Sequence, residues 1–316
     1  MTATPTTRRP GDVLDAATHM GPVELRVSDR RAMEDFYVRG VGLTPLSSSP
    51  RRTVLGLDGR VVVTLTDAPD LRRPSRRAAG LFHTAVLFAS ERELAASLVR
   101  MFVRYPETFE GPGDHLVSQA FYFTDPEGNG VELYADRPRE TWTWENGLVV
   151  MDTLSIDPNA FLMSHLGVSG TQRALDAARS ALAVPAGREV SADDGLPVTG
   201  QVGHVHLQVG DVATARAFYV DALGFEVTSE MAGSALFVSA GGYHHHMAMN
   251  VWNSRGAGPR GATLGLGQVD IALPDDGELA AIRERLTSHG VTVDDDGARL
   301  LVRDPWNNEL RLAVNP

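Results

Sequence analysis

The chain of 316 residues contains no cysteine. Disulfides and thiolate metal sites are therefore excluded, and any metal must be held by histidine and carboxylate side chains. No apolar run approaches the roughly 18 residues needed to span a bilayer. The N-terminal "MTATPTTRRPGDVLDA" lacks the apolar core of a secretory signal. These absences give the expectation of a cytoplasmic protein with no membrane partner. Positive charge is also scarce, with 29 Lys+Arg against 40 Asp+Glu and a net charge of −11. That balance argues against a nucleic-acid partner, which needs a basic footprint. The clusters Arg51-Arg52, Arg72-Arg73 and Arg76-Arg77 are short, sit in Pro/Ser-rich loops and read as solvated. Neither a P-loop nor a dinucleotide fingerprint is present, and no Ser/His/Asp arrangement stands out.

What remains is a globular composition, 43% hydrophobic and 22% charged. The length exceeds the roughly 250–300 residues at which single cores stop growing, so at least two domains are expected. Internal repeats supply them. "PVELRVSDRRAMEDFYVRGVGLTPL" from Pro22 and "HVHLQVGDVATARAFYVDALGFEVT" from His204 share one plan. Each has an alternating strand, an Asp suited to cap a helix, a helical stretch ending in Phe-Tyr, and a glycine leading into new strands. "FYFTDPEGNGVELYA" and "LLVRDPWNNELRLAV" share another plan: strand, Asp-Pro turn, strand. Four units of strand, helix and about three strands follow, near 20–68, 80–136, 202–253 and 264–314. Grouped in order they give an N-terminal tail (1–19), a first domain (20–136), a connector (137–200) and a second domain (202–314). The connector is expected to hold a helix at Thr171–Ala183. Its Trp142–Trp144 segment is expected to pack where the chain leaves the second unit.

Four such βαβββ units, with "HVHLQVGD", "FYFTDPEGNGVELYADRP" and "FVSAGGYHHHMAMNVW", resemble the vicinal oxygen chelate superfamily of glyoxalases, bleomycin-resistance proteins and extradiol dioxygenases. The resemblance is nearest to its bacterial two-domain catechol 2,3-dioxygenase branch. It implies an α+β fold in which paired units curl mixed sheets around a metal cleft. It also implies two histidines on the first strands of partner units and a carboxylate on a last strand. The first unit has Pro22 and Val61-Val62-Val63 at the corresponding places, and the fourth has Gln268 and Glu309 without histidine. The second has His83 and Glu132, and the third has His204. The expected cleft therefore lies between the second and third units, with His83, Glu132 and His204 as ligands to Fe(II) or Mn(II). Such a set leaves positions for a chelating diol and O2.

The same resemblance implies an acid–base histidine with the motif His-x-apolar-Ala-apolar, matched by His245. An imidazole can take a proton from a bound diol and return one later, because it titrates near neutral pH. Strand parity leaves an alternative: if His245 shares the helix-packed face with Met247 and Met249, His246 takes the role. His115 and Tyr122 match residues that hydrogen-bond the diol in such enzymes. The expected activity is extradiol cleavage of a small aromatic diol with O2, in a chain that can form a homo-oligomer. The rivals are a glyoxalase-type isomerase or lyase taking a fourth ligand from the histidine run, and a binding protein without chemistry. A site between the first and fourth units, on Gln268 and Glu309, is a weaker variant.

Overall fold

The computed structural model describes residues 12–182 and 198–314. Most of the tail, the end of the connector and the expected helix terminus at Ala183 lie outside the described residues. The first unit comprises β1 (His19–Val27), α1 (Arg30–Asp35), β2 (Thr44–Ser49), β3 (Arg52–Leu57) and β4 (Arg60–Asp67). The second comprises β5 (Gly80–Phe88), α2 (Glu91–Arg104), β6 (Phe109–Asp114), β7 (Ser118–Thr124) and β8 (Gly130–Asp136). The connector carries a small ribbon, β9 (Trp144–Glu145) with β10 (Leu148–Val149), and α3 (Pro158–Leu182). The third unit is β11 (Gly200–Gln208), α4 (Val212–Ala215), β12 (Glu226–Met231), β13 (Ala235–Ser239) and β14 (Met247–Asn250). The fourth is β15 (Gly265–Leu273), α5 (Asp276–Ser288), β16 (Val293–Asp295), β17 (Arg299–Arg303) and β18 (Glu309–Val314).

Every unit begins its helix with a side-chain cap. Asp29, Ser90, Asp211 and Asp275 accept from the backbone N–H three residues on, which satisfies a donor the helix itself cannot. In the first and third units the helix passes into a widened π turn, Phe36–Val41 and Arg216–Ala222, which buries Tyr37 and Tyr219. In all four units the first strand runs parallel to the last. The helix makes that parallel crossover.

Two curled eight-stranded sheets result. One has the order β16-β17-β18-β15-β1-β4-β3-β2 and the other β12-β13-β14-β11-β5-β8-β7-β6. The first sheet thus joins the first and fourth units through the antiparallel pair β1–β15, and the second joins the second and third through β5–β11. Each half of the sequence contributes to both sheets. The halves are also clamped within themselves. Tyr37 Oη donates to Asp125 Oδ2 at 3.3 Å, and Tyr219 Oη donates to Asp304 Oδ2 at 2.9 Å. Both aspartates begin an Asp-Pro turn and also accept from the backbone N–H two and four residues on and from an Asn side chain. These residues read in the sequence as local turn chemistry. In the fold they tie one unit's helix to the next unit's turn.

Helix α3 starts thirteen residues before the expected Thr171, because Phe161, Leu162 and Leu166 give its first half an apolar face that is buried. The helix bends at Gly167, whose backbone has φ 68°. Trp142 is buried against Tyr243 and His244 at 5.8 and 5.4 Å between ring centres, while Trp144 is exposed.

Candidate metal centre

Strand β5 lies between β11 and β8 in the second sheet. His204 stands opposite Ala85 on one side and Glu132 opposite Ala85 on the other. The methyl of Ala85 leaves room for the two larger side chains to meet above it. His83, two residues away along β5, projects from the same face. The Nε2 atoms of His83 and His204 each lie 3.0 Å from Glu132 Oε2. All three residues are buried.

The contacts differ in kind. His204 Nε2 is aligned to hydrogen-bond the carboxylate, whereas His83 Nε2 makes no hydrogen bond despite its distance. A buried ring nitrogen without a hydrogen bond is costly. Two nitrogens and one oxygen converging in a buried site form the donor set that suits a divalent cation of the Fe, Mn or Zn type. Burial raises the Glu132 carboxyl, but His204 and His83 outweigh it and hold the group well below its ordinary range. Burial lowers His204 to about 4 against the pull of Glu132. The pair is thus an ionised carboxylate facing a neutral imidazole, the protonation state a metal site requires.

Tyr122 is the cross-strand partner of Glu132. Its hydroxyl lies 2.6 Å from His115 Nε2, and His115 Nδ1 lies 2.9 Å from the carbonyl oxygen of Asp152. A carbonyl can only accept, so His115 donates from Nδ1 and its Nε2 accepts the Tyr122 proton. Burial and the Glu132 charge push the Tyr122 hydroxyl well above 10, so it is a proton donor, not a phenolate.

The three consecutive histidines precede β14 and do not lie on it. Strand alternation therefore says nothing about which of them faces the cleft, and the parity argument between His245 and His246 falls away. The ring of His245 lies 4.1 Å from that of His204. His246 instead accepts the backbone N–H of Ala240 through Nδ1 at 3.1 Å and packs on Tyr243. His244 is fully buried, with Nδ1 2.7 Å from His245 Nδ1 and Nε2 3.0 Å from Asp136 Oδ1. Atoms of His204, His244 and His245 form a second group close enough to share an ion.

Several residues at the site were not singled out from sequence. His206 is buried 4.9 Å from His83 between ring centres, with Nε2 2.9 Å from Asn250 Nδ2. Phe82 and the half-exposed Trp252 pack against it. The shared face of His204 and His206 on β11 was the available signal. Asp136 ends β8 and gave none. Gly203 shows why the sequence is small there, since a Cβ would lie 1.7 Å from Tyr134 Oη. In the other sheet, Gln268 donates to Asp270, which pairs with Arg311, and Glu309 pairs with Arg303. Those polar groups satisfy one another, and among the described residues no metal-type cluster forms there.

Comparison with known proteins accords with this architecture. The family model described as Glyoxalase/Bleomycin resistance protein/Dioxygenase superfamily matches residues 19–133 and 201–312. The chain is 36% identical over 293 residues to the catechol-2,3-dioxygenase of Bacillus subtilis (strain 168), covering 91% of this chain and 94% of that protein. A crystal structure of a putative dioxygenase from Bacillus subtilis subsp. subtilis str. 168 superposes with a TM-score of 0.59 at 13% identity, covering 96% of this chain and 86% of the other. Glyoxalase I from Zea mays superposes at 0.53 with 14% identity, over 95% and 93% of the two chains. At those identities the two structures share the fold alone. With the family model matching both halves, this chain belongs to the glyoxalase/bleomycin-resistance/dioxygenase superfamily.

Proposed function

We propose that this protein is a metal-dependent extradiol dioxygenase that cleaves a catechol-type diol with O2. The observation that carries the reading is the convergence of His83 Nε2, His204 Nε2 and Glu132 Oε2, with the His245 ring 4.1 Å from His204. The 36% identity to a catechol-2,3-dioxygenase supports it. His83, His204 and Glu132 would hold Fe(II), with Mn(II) as the alternative. Held by these three side chains, such an ion would supply redox chemistry toward a chelating diol and O2.

The protein's own groups do the rest. Tyr122 and His115, joined by their 2.6 Å hydrogen bond, present a polar edge beside Glu132 that orients a diol. His245, its ring 4.1 Å from that of His204, offers an imidazole to take a proton from a diol hydroxyl and return it as the ring opens. Phe82, His206 and Trp252 form an aromatic wall suited to a planar ring.

The test is O2 uptake by Fe(II)-loaded protein with a panel of catechols, together with the mass of the product. Extradiol cleavage consumes one O2 per diol and adds both oxygen atoms to the product. A glyoxalase-type isomerase is the second reading, favoured by the second cluster of His204, His244 and His245, which provides a fourth ligand. It takes up no O2 and leaves the substrate's mass unchanged. Absence of O2 uptake and of diol binding across the panel would remove the dioxygenase reading.

A further inference from the structure

We propose that Asp136 and His244 are positioning residues that fix the tautomer of His245 through a carboxylate–imidazole–imidazole chain. The argument is one of donor inventory. Asp136 Oδ1 lies 3.0 Å from His244 Nε2, and Asp136 Oδ2 accepts the Tyr243 hydroxyl at 2.9 Å. An ionised carboxylate only accepts, so the proton in the first contact sits on His244 Nε2. With His244 carrying the single N–H of a neutral imidazole, as the proposal requires, its Nδ1 is left as an acceptor. That nitrogen is 2.7 Å from His245 Nδ1. The proton between them therefore belongs to His245 Nδ1, and His245 Nε2 carries the lone pair. No other hydrogen bond engages His245 among the described residues.

The chain is built to hold this polarity. His244 is fully buried, and Trp142 and Tyr243 pack against its ring at 5.4 and 4.1 Å. Tyr243 donates its only proton to Asp136, so the 2.8 Å contact between Tyr134 and Tyr243 is donated by Tyr134. Tyr243 thus holds the second carboxylate oxygen of Asp136, and Tyr134 in turn donates to Tyr243. Asp136 belongs to the second unit and His244 to the third, so the device also crosses the junction of the two units that share the sheet. An imidazole held this way presents its lone pair at Nε2, although burial and the neighbouring histidines hold its pKa well below the ordinary value. The use of that base rests on the dioxygenase reading, but the tautomer does not.

The experiment reads the tautomers directly. Protein labelled with 15N at histidine and loaded with diamagnetic Zn(II) is examined by long-range 1H–15N correlation. His245 is expected to be protonated at Nδ1 and His244 at Nε2. Asp136→Ala removes the acceptor, and His245 is expected to lose its single Nδ1–H form. Asp136→Asn keeps a carbonyl oxygen for His244 and is expected to retain it. Turnover with a catechol should fall at least tenfold in Asp136→Ala and recover most of that loss in Asp136→Asn. Wild-type His245 protonated at Nε2, or an unchanged tautomer in Asp136→Ala, overturns the proposal. The wild-type spectrum needs no variant to fold. The Asp136–His244–His245 relay contains none of His83, Glu132 or His204, and its tautomers are read on metal-free protein as well, so failure to retain Zn(II) sinks the site reading and leaves the tautomer result standing.

Discussion

Tyr219 Oη lies 2.9 Å from Asp304 Oδ2 in the buried seam between the third and fourth units, and Tyr37 and Asp125 repeat the contact between the first and second at 3.3 Å. The shorter bond should be the stronger. Hydrogen bonds to charged groups contribute about 1.5–3 kcal/mol, so Tyr219→Phe should cost about that much in denaturant unfolding. Tyr37→Phe should cost less. Equal and negligible effects would show that the turns need no inter-unit clamp.

The same aspartates give a pH dependence. Burial pushes the Asp125 carboxyl up to about 6, against donors from Asn129, Glu127 and Tyr37 that hold it down. The folded chain then binds this proton more tightly than the unfolded chain, whose Asp titrates near 3.8. The contribution is fully present below about pH 4 and is lost as pH rises through about 6. Other carboxylates change over the same window, Glu132 in the opposite sense, so the difference between wild type and Asp125→Asn isolates the effect. That difference should move against the wild type by about 1–3 kcal/mol between pH 4 and 7. A flat difference would place the Asp125 pKa at its ordinary value.

His245 and His246 should separate cleanly. His245→Ala removes the ring 4.1 Å from His204, and loss of a general base costs about 100- to 10,000-fold in turnover. His246→Ala removes an acceptor for the Ala240 N–H and should act on stability, with turnover within a few-fold of wild type. Steady-state kinetics with one catechol on both variants checks this. The reverse order of effects would assign the role to His246.

Gly203→Ala should disturb the site without touching a ligand. The added Cβ would sit 1.7 Å from Tyr134 Oη and 2.9 Å from Leu87 Cβ. Tyr134 lies on β8 and Leu87 on β5, so the clash is relieved by shifting the Tyr134 side chain and displacing β11 from β5. A cost of about 1–3 kcal/mol is expected from overpacking, with weakened metal retention because His204 is the next residue. Unchanged melting temperature and metal content would show that Tyr134 moves freely.

Much of this was legible in the sequence, for definable reasons. The four units carry their own punctuation in the caps Asp29 and Asp211 and the Asp-Pro turns at 125 and 304, all local chemistry. His83, Glu132 and His204 could be read because the family resemblance assigns ligands to first and last strands and the repeats show which units keep them, and β5 lies between β8 and β11. The histidine run resisted the same logic. Alternation holds only on a strand, and residues 244–246 lie before one. Asp136 and Tyr243 resisted it too, because their partners are more than a hundred residues away and are fixed only when the sheet closes. The first half of α3 was missed for a different reason: its apolar face is broken at Gly167, which hides the longer period.

The most direct test of the account is metal content, measured by mass spectrometry on untagged protein prepared without oxygen and loaded with Fe(II). Wild type and His246→Ala should each retain about one metal per chain, the capacity of a single three-ligand site, and His83→Ala and His204→Ala should each lose it. Little metal in the wild type after loading, or metal undiminished in both ligand variants, would contradict a centre built on His83, Glu132 and His204.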